Sequence, residues 1–176
     1  MRLFIAIPLP ETTKRQVEEI TNGRLPIPYI NTTNLHITLN YFGELSDAEV
    51  EKVKSCFLSF VHGQAAIAVE FQAIAKVHNQ LHITLKENQA LKDLRARLEE
   101  DYRQIGFSFQ DRSYYPHVNL GNLHMDNVMN RQRKMENFPN QELKKLSFKA
   151  ETVLLYESKL LLHHPKYIPL LEALLS

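Results

Sequence analysis

Residues 35 to 43 read Leu35-His36-Ile37-Thr38-Leu39-Asn40-Tyr41-Phe42-Gly43, the clearest strand pattern in this chain of 176 residues. Apolar and polar side chains alternate along the run, which is typical of a half-buried β-strand, and the glycine ends it. The predicted strand turns one set of side chains to each face. One face carries Leu35, Ile37, Leu39 and Tyr41, and the other carries His36, Thr38 and Asn40.

The segments around this strand predict an alternation of strands and helices. The apolar run Leu3 to Ile7 precedes a short helix from Thr12 to Ile20, and Ser46 with Glu49 forms a capping pattern ahead of another helix. Two further strands are expected, Ala66 to Val77 and Leu81 to Leu85, joined by His78-Asn79-Gln80, and a helix follows from Asn88 to about Gln104. Next come an extended segment, Tyr114 to Leu120, and a polar segment with a short helix, Met125 to Lys145. The chain then forms a strand from Phe148 to Leu155 that continues through Leu162, and a small apolar helix from about Pro169.

Composition limits the class of protein. With 44% hydrophobic and 23% charged residues, residues 1–176 are expected to form one globular domain. A formal net charge of +1 provides no general attraction to nucleic acid or anionic membrane, so an anionic substrate needs a local site. The lone Cys56 cannot form an internal disulfide, and no run approaches the ~18 apolar residues of a membrane-spanning helix. We expect a cytoplasmic monomer that does not bind membranes.

A weak internal repeat organises the chain. The order strand, helix, irregular loop and histidine-bearing strand occurs at Leu3 to Phe42 and again at Leu81 to Leu120, an offset of about 80 residues. In this repeat His117 corresponds to His36, whereas His82 lies in the first strand of its unit. The repeat therefore predicts two similar lobes, each with one histidine at an equivalent place.

The histidines provide the candidate chemistry. The segments His36-Ile37-Thr38 and His82-Ile83-Thr84 would each place an imidazole beside a hydroxyl on one face of a strand. Histidine can transfer a proton near neutral pH, and a hydroxyl can donate a hydrogen bond to an oxyanion. The repeat favours His36 and His117 as the catalytic pair over His82. No metal-binding spacing is present, so we expect neither a metal nor another cofactor. The other histidines are expected to be structural or surface residues: His62, His78, His124, His163 and His164.

Four blocks, in order along most of the chain, resemble a known family. They are Arg2-Leu3-Phe4-Ile5-Ala6-Ile7 with Pro10, Asn34 to Glu44 around the first histidine, Pro116-His117-Val118-Asn119-Leu120, and Leu155-Tyr156-Glu157-Ser158 with Tyr167. The chain in this respect resembles the 2H phosphoesterases, and within them the bacterial and archaeal RNA 2′,3′-cyclic phosphodiesterases, also called 2′-5′ RNA ligase-like proteins.

The resemblance implies both a fold and a reaction. The fold would be α+β, with two pseudo-symmetric lobes, each an antiparallel sheet backed by helices, and a central active-site cleft. The reaction would be metal-independent hydrolysis of 2′,3′-cyclic phosphate ends of RNA, or of a small nucleotide, to a 2′-phosphate, with 2′-5′ ligation as its reverse. His36 would donate a proton to the departing 3′ oxygen, His117 would accept one, and Thr38 and Asn119 would hold the phosphate.

Two positions depart from the family pattern. Asn119 stands where the family usually has Thr or Ser, and Asn122 stands where relatives often carry Arg. An asparagine amide still donates hydrogen bonds, but a lost guanidinium removes a preferred phosphate partner. Two alternatives therefore stay open: a phosphodiesterase acting on 2′-5′-linked oligonucleotides or small cyclic nucleotides, and a catalytically decayed module that binds nucleotides or RNA.

Aromatic and basic residues near the motifs have two interpretations. Tyr41, Phe42, Tyr114 and Tyr115 could stack on a nucleobase, but core packing is favoured for all except Tyr115. The run Arg131-Gln132-Arg133-Lys134 is expected to be a solvated surface rather than an RNA contact.

Overall fold

An eight-stranded antiparallel sheet is the framework of the computed structural model, which describes residues 1–28, 30–60, 63–110, 113–123, 132, 134–161 and 165–176. The strands are β1 (Arg2–Pro8), β2 (His36–Glu44), β3 (Ile67–Val77), β4 (Gln80–Leu85), β5 (His117–Asn122), β6 (Ser147–Ala150), β7 (Thr152–Leu160) and β8 (Pro165–Leu174). Their order across the sheet is β6-β3-β4-β5-β2-β1-β7-β8. The predicted α+β class is confirmed.

Four α-helices whose bounds lie wholly within the described residues accompany the sheet. They are α1 (Glu11–Thr21), α2 (Asp47–Phe60), α3 (Gln89–Gln104) and α4 (Asn140–Leu143). Ser46 and Glu49 form the predicted capping box of α2, because the Ser46 backbone nitrogen donates to the Glu49 carboxylate at 2.8 Å and the Glu49 nitrogen donates to the Ser46 hydroxyl at 3.4 Å. Asn88 caps α3 by accepting from the Leu91 nitrogen at 3.1 Å.

The core is formed by buried apolar side chains of the sheet and the helices. Val53 and Phe57 of α2 are fully buried, as are Leu91 and Leu98 of α3. These residues recur at helical spacing, so each pair lies on one face of its helix. Full burial of one such side chain stabilises the fold by about 1.5–3 kcal/mol.

The sheet divides into two equivalent halves, and each contains one histidine-bearing strand at the junction. The first half is β8-β7-β1-β2, the second is β6-β3-β4-β5, and β2 meets β5 where Ile37 lies opposite Val118. Pro8 of β1 lies opposite His36, and Thr84 of β4 lies opposite His117. The two histidines therefore occupy equivalent positions on adjacent strands, as the repeat predicts.

The strict alternation predicted for β2 is wrong beyond Thr38. Thr38 lies opposite Ala6 and Asn40 lies opposite Ile5, so Leu39 is an extra residue in the ladder. Such a bulge reverses the faces that follow it. As a result Asn40 is buried, with only 3% of its surface exposed, and Tyr41 is 56% exposed.

The predicted helix from Pro169 is also wrong. Residues Pro165–Leu174 form β8, which pairs with β7 along its whole length. Short apolar runs do not distinguish strand from helix by periodicity, and here pairing with a neighbouring strand decides the outcome. The single strand expected from Phe148 onward is two strands, since β6 pairs with β3 whereas β7 pairs with β1 and β8.

Candidate active site

His36 is the first residue of β2, and both of its ring nitrogens are engaged. Its Nδ1 lies 2.6 Å from the carbonyl oxygen of Asn34. A carbonyl only accepts, so Nδ1 carries the proton and donates, and Nε2 accepts from the Thr38 hydroxyl at 3.1 Å. The Asn34 side chain donates to the carbonyl of Pro165 at 3.0 Å, which ties the orienting loop to the start of β8.

An aromatic wall encloses His36. The ring centroids of Phe4 and Tyr167 lie 5.2 and 5.3 Å from the imidazole, and that of Tyr156 lies 6.3 Å away. Burial in this setting lowers the pKa of His36 from 6.5 to about 4, although the Asn34 carbonyl acts in the opposite direction and the charge of His117 acts in the same one. His36 is therefore uncharged at neutral pH in the ligand-free protein.

His117 has the corresponding place on β5. Its Nδ1 donates to the carbonyl of Tyr115 at 2.8 Å, so this imidazole is also oriented by a carbonyl two residues earlier. The Tyr115 ring stacks on it with centroids 5.4 Å apart, and the tyrosine is 48% exposed. In both histidines the backbone fixes the tautomer with the proton on Nδ1; the Nε2 lone pair of His36 accepts from Thr38, whereas no described residue donates to Nε2 of His117.

Thr38 and Asn119 differ in their partners. Thr38 donates to His36, whereas Asn119 is exposed and its carbonyl oxygen accepts from the Gly121 nitrogen at 2.8 Å. That bond turns the Asn119 oxygen toward its own strand. The amide NH₂ of Asn119 then has no partner among the described residues and can donate to a ligand.

The structure places His82 directly against His117, which the repeat did not predict. The two rings are stacked with centroids 4.0 Å apart and an angle of 12° between their planes. His82 is only 5% exposed and lies opposite Asn119 in the ladder, so it does not present a nitrogen to solvent. The feature that could have revealed this contact is the pairing of β4, which holds His82, with β5, which holds His117.

The bulge of β2 is also supported by side chains that the sequence did not point to. They belong to α3 and to the segment just before β5. Tyr114 donates its hydroxyl to the Thr38 carbonyl at 2.9 Å, and Arg95 of α3 donates to the Leu39 carbonyl at 3.1 Å. The guanidinium of Arg95 lies 4.6 Å from the centroid of the Tyr114 ring and pairs with the buried Glu99 at 2.5 Å. We call Arg95, Glu99 and Tyr114 the β2 brace.

The other candidate residues have varied outcomes. Phe42 packs against Tyr102 and its neighbours, and Tyr114 belongs to the β2 brace, so core packing is confirmed for both. The prediction of core packing is wrong for Tyr41, which is exposed. His78 is an exposed residue of the β3–β4 hairpin. Outside the described residues lie His62, His124, Arg131, Arg133, His163 and His164.

Among the described residues no group of three or more His, Cys, Asp or Glu side chains is placed to hold a metal ion. Within the same ranges, no helix has the length and apolar character needed to cross a membrane. Burial raises the pKa of the Cys56 thiol, which disfavours the reactive thiolate.

Comparison with known proteins agrees with this fold and these motifs. Residues 9–160 match the family model of the 2′-5′ RNA ligase superfamily, and the chain belongs to that family, whose members are 2H phosphoesterases. It is 25% identical over 174 residues to an RNA 2′,3′-cyclic phosphodiesterase of Methanocaldococcus jannaschii, covering 95% of this chain and 96% of that one. It is 22% identical to an enzyme of the same name from Thermotoga maritima, over 69% of each chain.

A solved structure shows the same fold. E. coli LigT in complex with 3′-AMP superposes with a TM-score of 0.76 at 21% identity, covering 99% of this chain and 98% of that one. At this identity the likeness establishes the architecture.

Proposed function

We propose that this protein hydrolyses the 2′,3′-cyclic phosphate ends of RNA, leaving a 2′-phosphate, without a metal ion. The observation that carries the proposal is the matched pair His36 and His117. They lie at equivalent positions on adjacent strands, and each Nδ1 is bound to a carbonyl. Opening a cyclic phosphodiester needs one base and one acid, and two imidazoles can supply both. The names of the relatives agree with this substrate class.

The proton transfers follow from these positions. His117 Nε2 takes a proton from water as the water oxygen bonds to phosphorus, the bond from phosphorus to the 3′ oxygen breaks, and His36 Nε2 gives a proton to that oxygen. The products are a 2′-phosphate and a 3′-hydroxyl. The Thr38 hydroxyl and the Asn119 amide donate to the non-bridging oxygens, where negative charge is redistributed in the transition state.

The low pKa of His36 constrains this assignment. At neutral pH the ligand-free His36 is uncharged, so it must acquire its proton when the substrate binds. A phosphodiester anion beside an imidazole favours the charged form and raises its pKa. In 2′-5′ ligation a 5′-hydroxyl takes the place of water: His117 Nε2 takes its proton as its oxygen bonds to phosphorus, the bond to the 3′ oxygen breaks, and His36 Nε2 gives a proton to that oxygen. Both histidines come from one chain, and we propose a cytoplasmic monomer as the acting form.

The test is hydrolysis of a short RNA ending in a 2′,3′-cyclic phosphate, in the presence of EDTA, with identification of the terminal phosphate. We expect a 2′-phosphate from the unchanged protein and from His78→Asn, which removes an exposed imidazole at a left-handed backbone position that asparagine tolerates. His36→Ala and His117→Ala should abolish turnover.

The other outcomes separate the alternatives. A 3′-phosphate product, or full activity of either alanine variant, contradicts the proposal. Cleavage of a 2′-5′-linked oligonucleotide but not of the cyclic end would assign the protein to the first alternative. Binding of a nucleotide without turnover of either substrate would identify a binding module.

A further inference from the structure

His82 is the feature of the site that the two-histidine reaction does not use. It belongs to β4, its ring lies parallel to that of His117 at 4.0 Å, and its side chain is buried. The equivalent place in the other half of the sheet, opposite Thr38, is occupied by Ala6. His117 therefore has a stacked histidine at this place, whereas His36 has an alanine there.

The hydrogen bonds of the neighbouring side chains define which nitrogen of His82 carries the proton. Gln80 donates its amide nitrogen to the Asn122 side-chain oxygen at 3.2 Å, which leaves its own oxygen toward His82. That oxygen lies 3.1 Å from His82 Nε2 and can only accept, so Nε2 is protonated. Nδ1 is then an unprotonated acceptor, and it is buried with no partner among the described residues.

A side chain that merely filled this space would not need that nitrogen. A buried acceptor left without a partner destabilises the folded state, and an apolar residue would fill the volume without that cost. The ring is also held uncharged, since burial and the neighbouring His117 lower the pKa of His82 to about 4. The groups facing His117 are then the neutral His82 from β4, the Tyr115 ring, and His36 from β2.

We propose that His82 is a positioning residue, whose flat, buried imidazole holds the His117 ring in the orientation that presents Nε2 to the substrate. The hydrogen bonds from Gln80 to Asn122 and from His82 to Gln80 fix the plane of the His82 ring. The inference rests on the proposed role of His117 in the reaction. Misplacing a reacting group by about 1 Å can reduce a rate about 10²-fold, so a loss of stacking should act on kcat rather than on substrate binding.

The first readout is independent of turnover. In a histidine-labelled protein, the ring protons of His117 should show an upfield ring-current shift in NMR spectra, assigned by its loss in His117→Ala. We expect the shift to become smaller in His82→Ala, where the Tyr115 ring stays stacked on His117, to persist in His82→Phe, which keeps a flat ring, and to be unchanged in His78→Asn. A shift of undiminished size in His82→Ala overturns the proposal.

The second readout is kinetic. We expect His82→Ala to lower kcat by roughly 10- to 100-fold with KM within about threefold, and His82→Phe to recover kcat to within about threefold of the unchanged protein. If His82→Ala does not fold, His82→Leu serves as the variant that fills the space without a flat ring. Equal kcat in His82→Ala, or equal loss in His82→Phe and His82→Ala, overturns the proposal.

The two experiments also separate this inference from the function on which it depends. If the unchanged protein turns over neither substrate, the proposed function fails, and the NMR readout alone decides whether His82 orients His117. If the unchanged protein is active and the ring-current shift does not depend on His82, the proposed function stands and the positioning role is wrong.

Discussion

The two halves of the sheet have the same arrangement of strands around their histidines but different side chains. In the first half, His36 is enclosed by Phe4, Tyr156 and Tyr167 and bonded to Thr38. In the second half, His117 is less enclosed and lies between Tyr115 and a stacked histidine, His82. The comparison teaches that the repeat reproduces the position of an imidazole, whereas its protonation and orientation are determined by neighbours that the repeat does not copy.

Replacing either histidine should have the largest effect. We expect His36→Gln and His117→Gln each to lower kcat by about 10²- to 10⁴-fold, because each removes one proton transfer. The double variant should lose little more than the worse single variant, since the two act as a unit. Initial rates on the cyclic-phosphate RNA measure this. A loss restricted to one of the two would show that the halves are not chemically equivalent.

The two residues proposed to bind phosphate, Thr38 and Asn119, test the same comparison. We expect Thr38→Val to lower kcat by about 10²-fold, the usual cost of removing one donor to a developing charge. Asn119→Ala should cost less, roughly tenfold, because Asn119 is exposed and its oxygen is already bound to its own strand. Asn119→Thr, which makes the halves alike, should be at least as active as the unchanged protein. Inactivity of Asn119→Thr would contradict that equivalence.

The β2 brace belongs to one half of the molecule and acts on the other. Arg95→Ala leaves the Leu39 carbonyl without its donor and leaves the buried Glu99 with Arg103 alone. We expect the free energy of unfolding to fall by about 2 kcal/mol, measured by urea denaturation. Arg97→Ala, on the exposed face of the same helix, is the control and should change it by less than about 0.5 kcal/mol. Equal losses in both variants would show that the brace does not stabilise β2.

Acid stability should show the effect of the two buried, uncharged histidines, His36 and His82. The pKa values of His36 and His82 are lowered to about 4 in the folded protein, and an unfolded histidine has a pKa near 6.5. Between these values the unfolded chain binds more protons, so the stability present above pH 6.5 is lost as the pH falls toward 4. We expect a loss of about 1 kcal/mol or more from pH 7 to pH 5.

A matched variant identifies the source of this loss. His82→Phe removes one of the two buried imidazoles, so the free energy of unfolding should depend less steeply on pH between 7 and 5 than in the unchanged protein. Identical slopes in the unchanged protein and in His82→Phe would show that His82 is not held uncharged in the fold.

Much of the site was predictable because local patterns encode it. The strand containing Thr38, the capped helices and the offset between His36 and His117 all follow from periodicity and the repeat. The β2 bulge was not predictable, since its signal is the pairing of Asn40 with Ile5 rather than any feature of residues 35–43. The C-terminal strand was missed for the same reason.

By itself the sequence determined most of the elements before Phe148, the family motifs and the equivalence of His36 and His117, because short-range alternation and repetition are properties of neighbouring residues. Only the tertiary structure decided the surroundings of those two imidazoles. The aromatic wall of His36, the stacking of His82 on His117 and the β2 brace join residues that are distant in the chain. Burial and cross-strand contact set the pKa and orientation of each ring, and these depend on which strands become neighbours in the sheet.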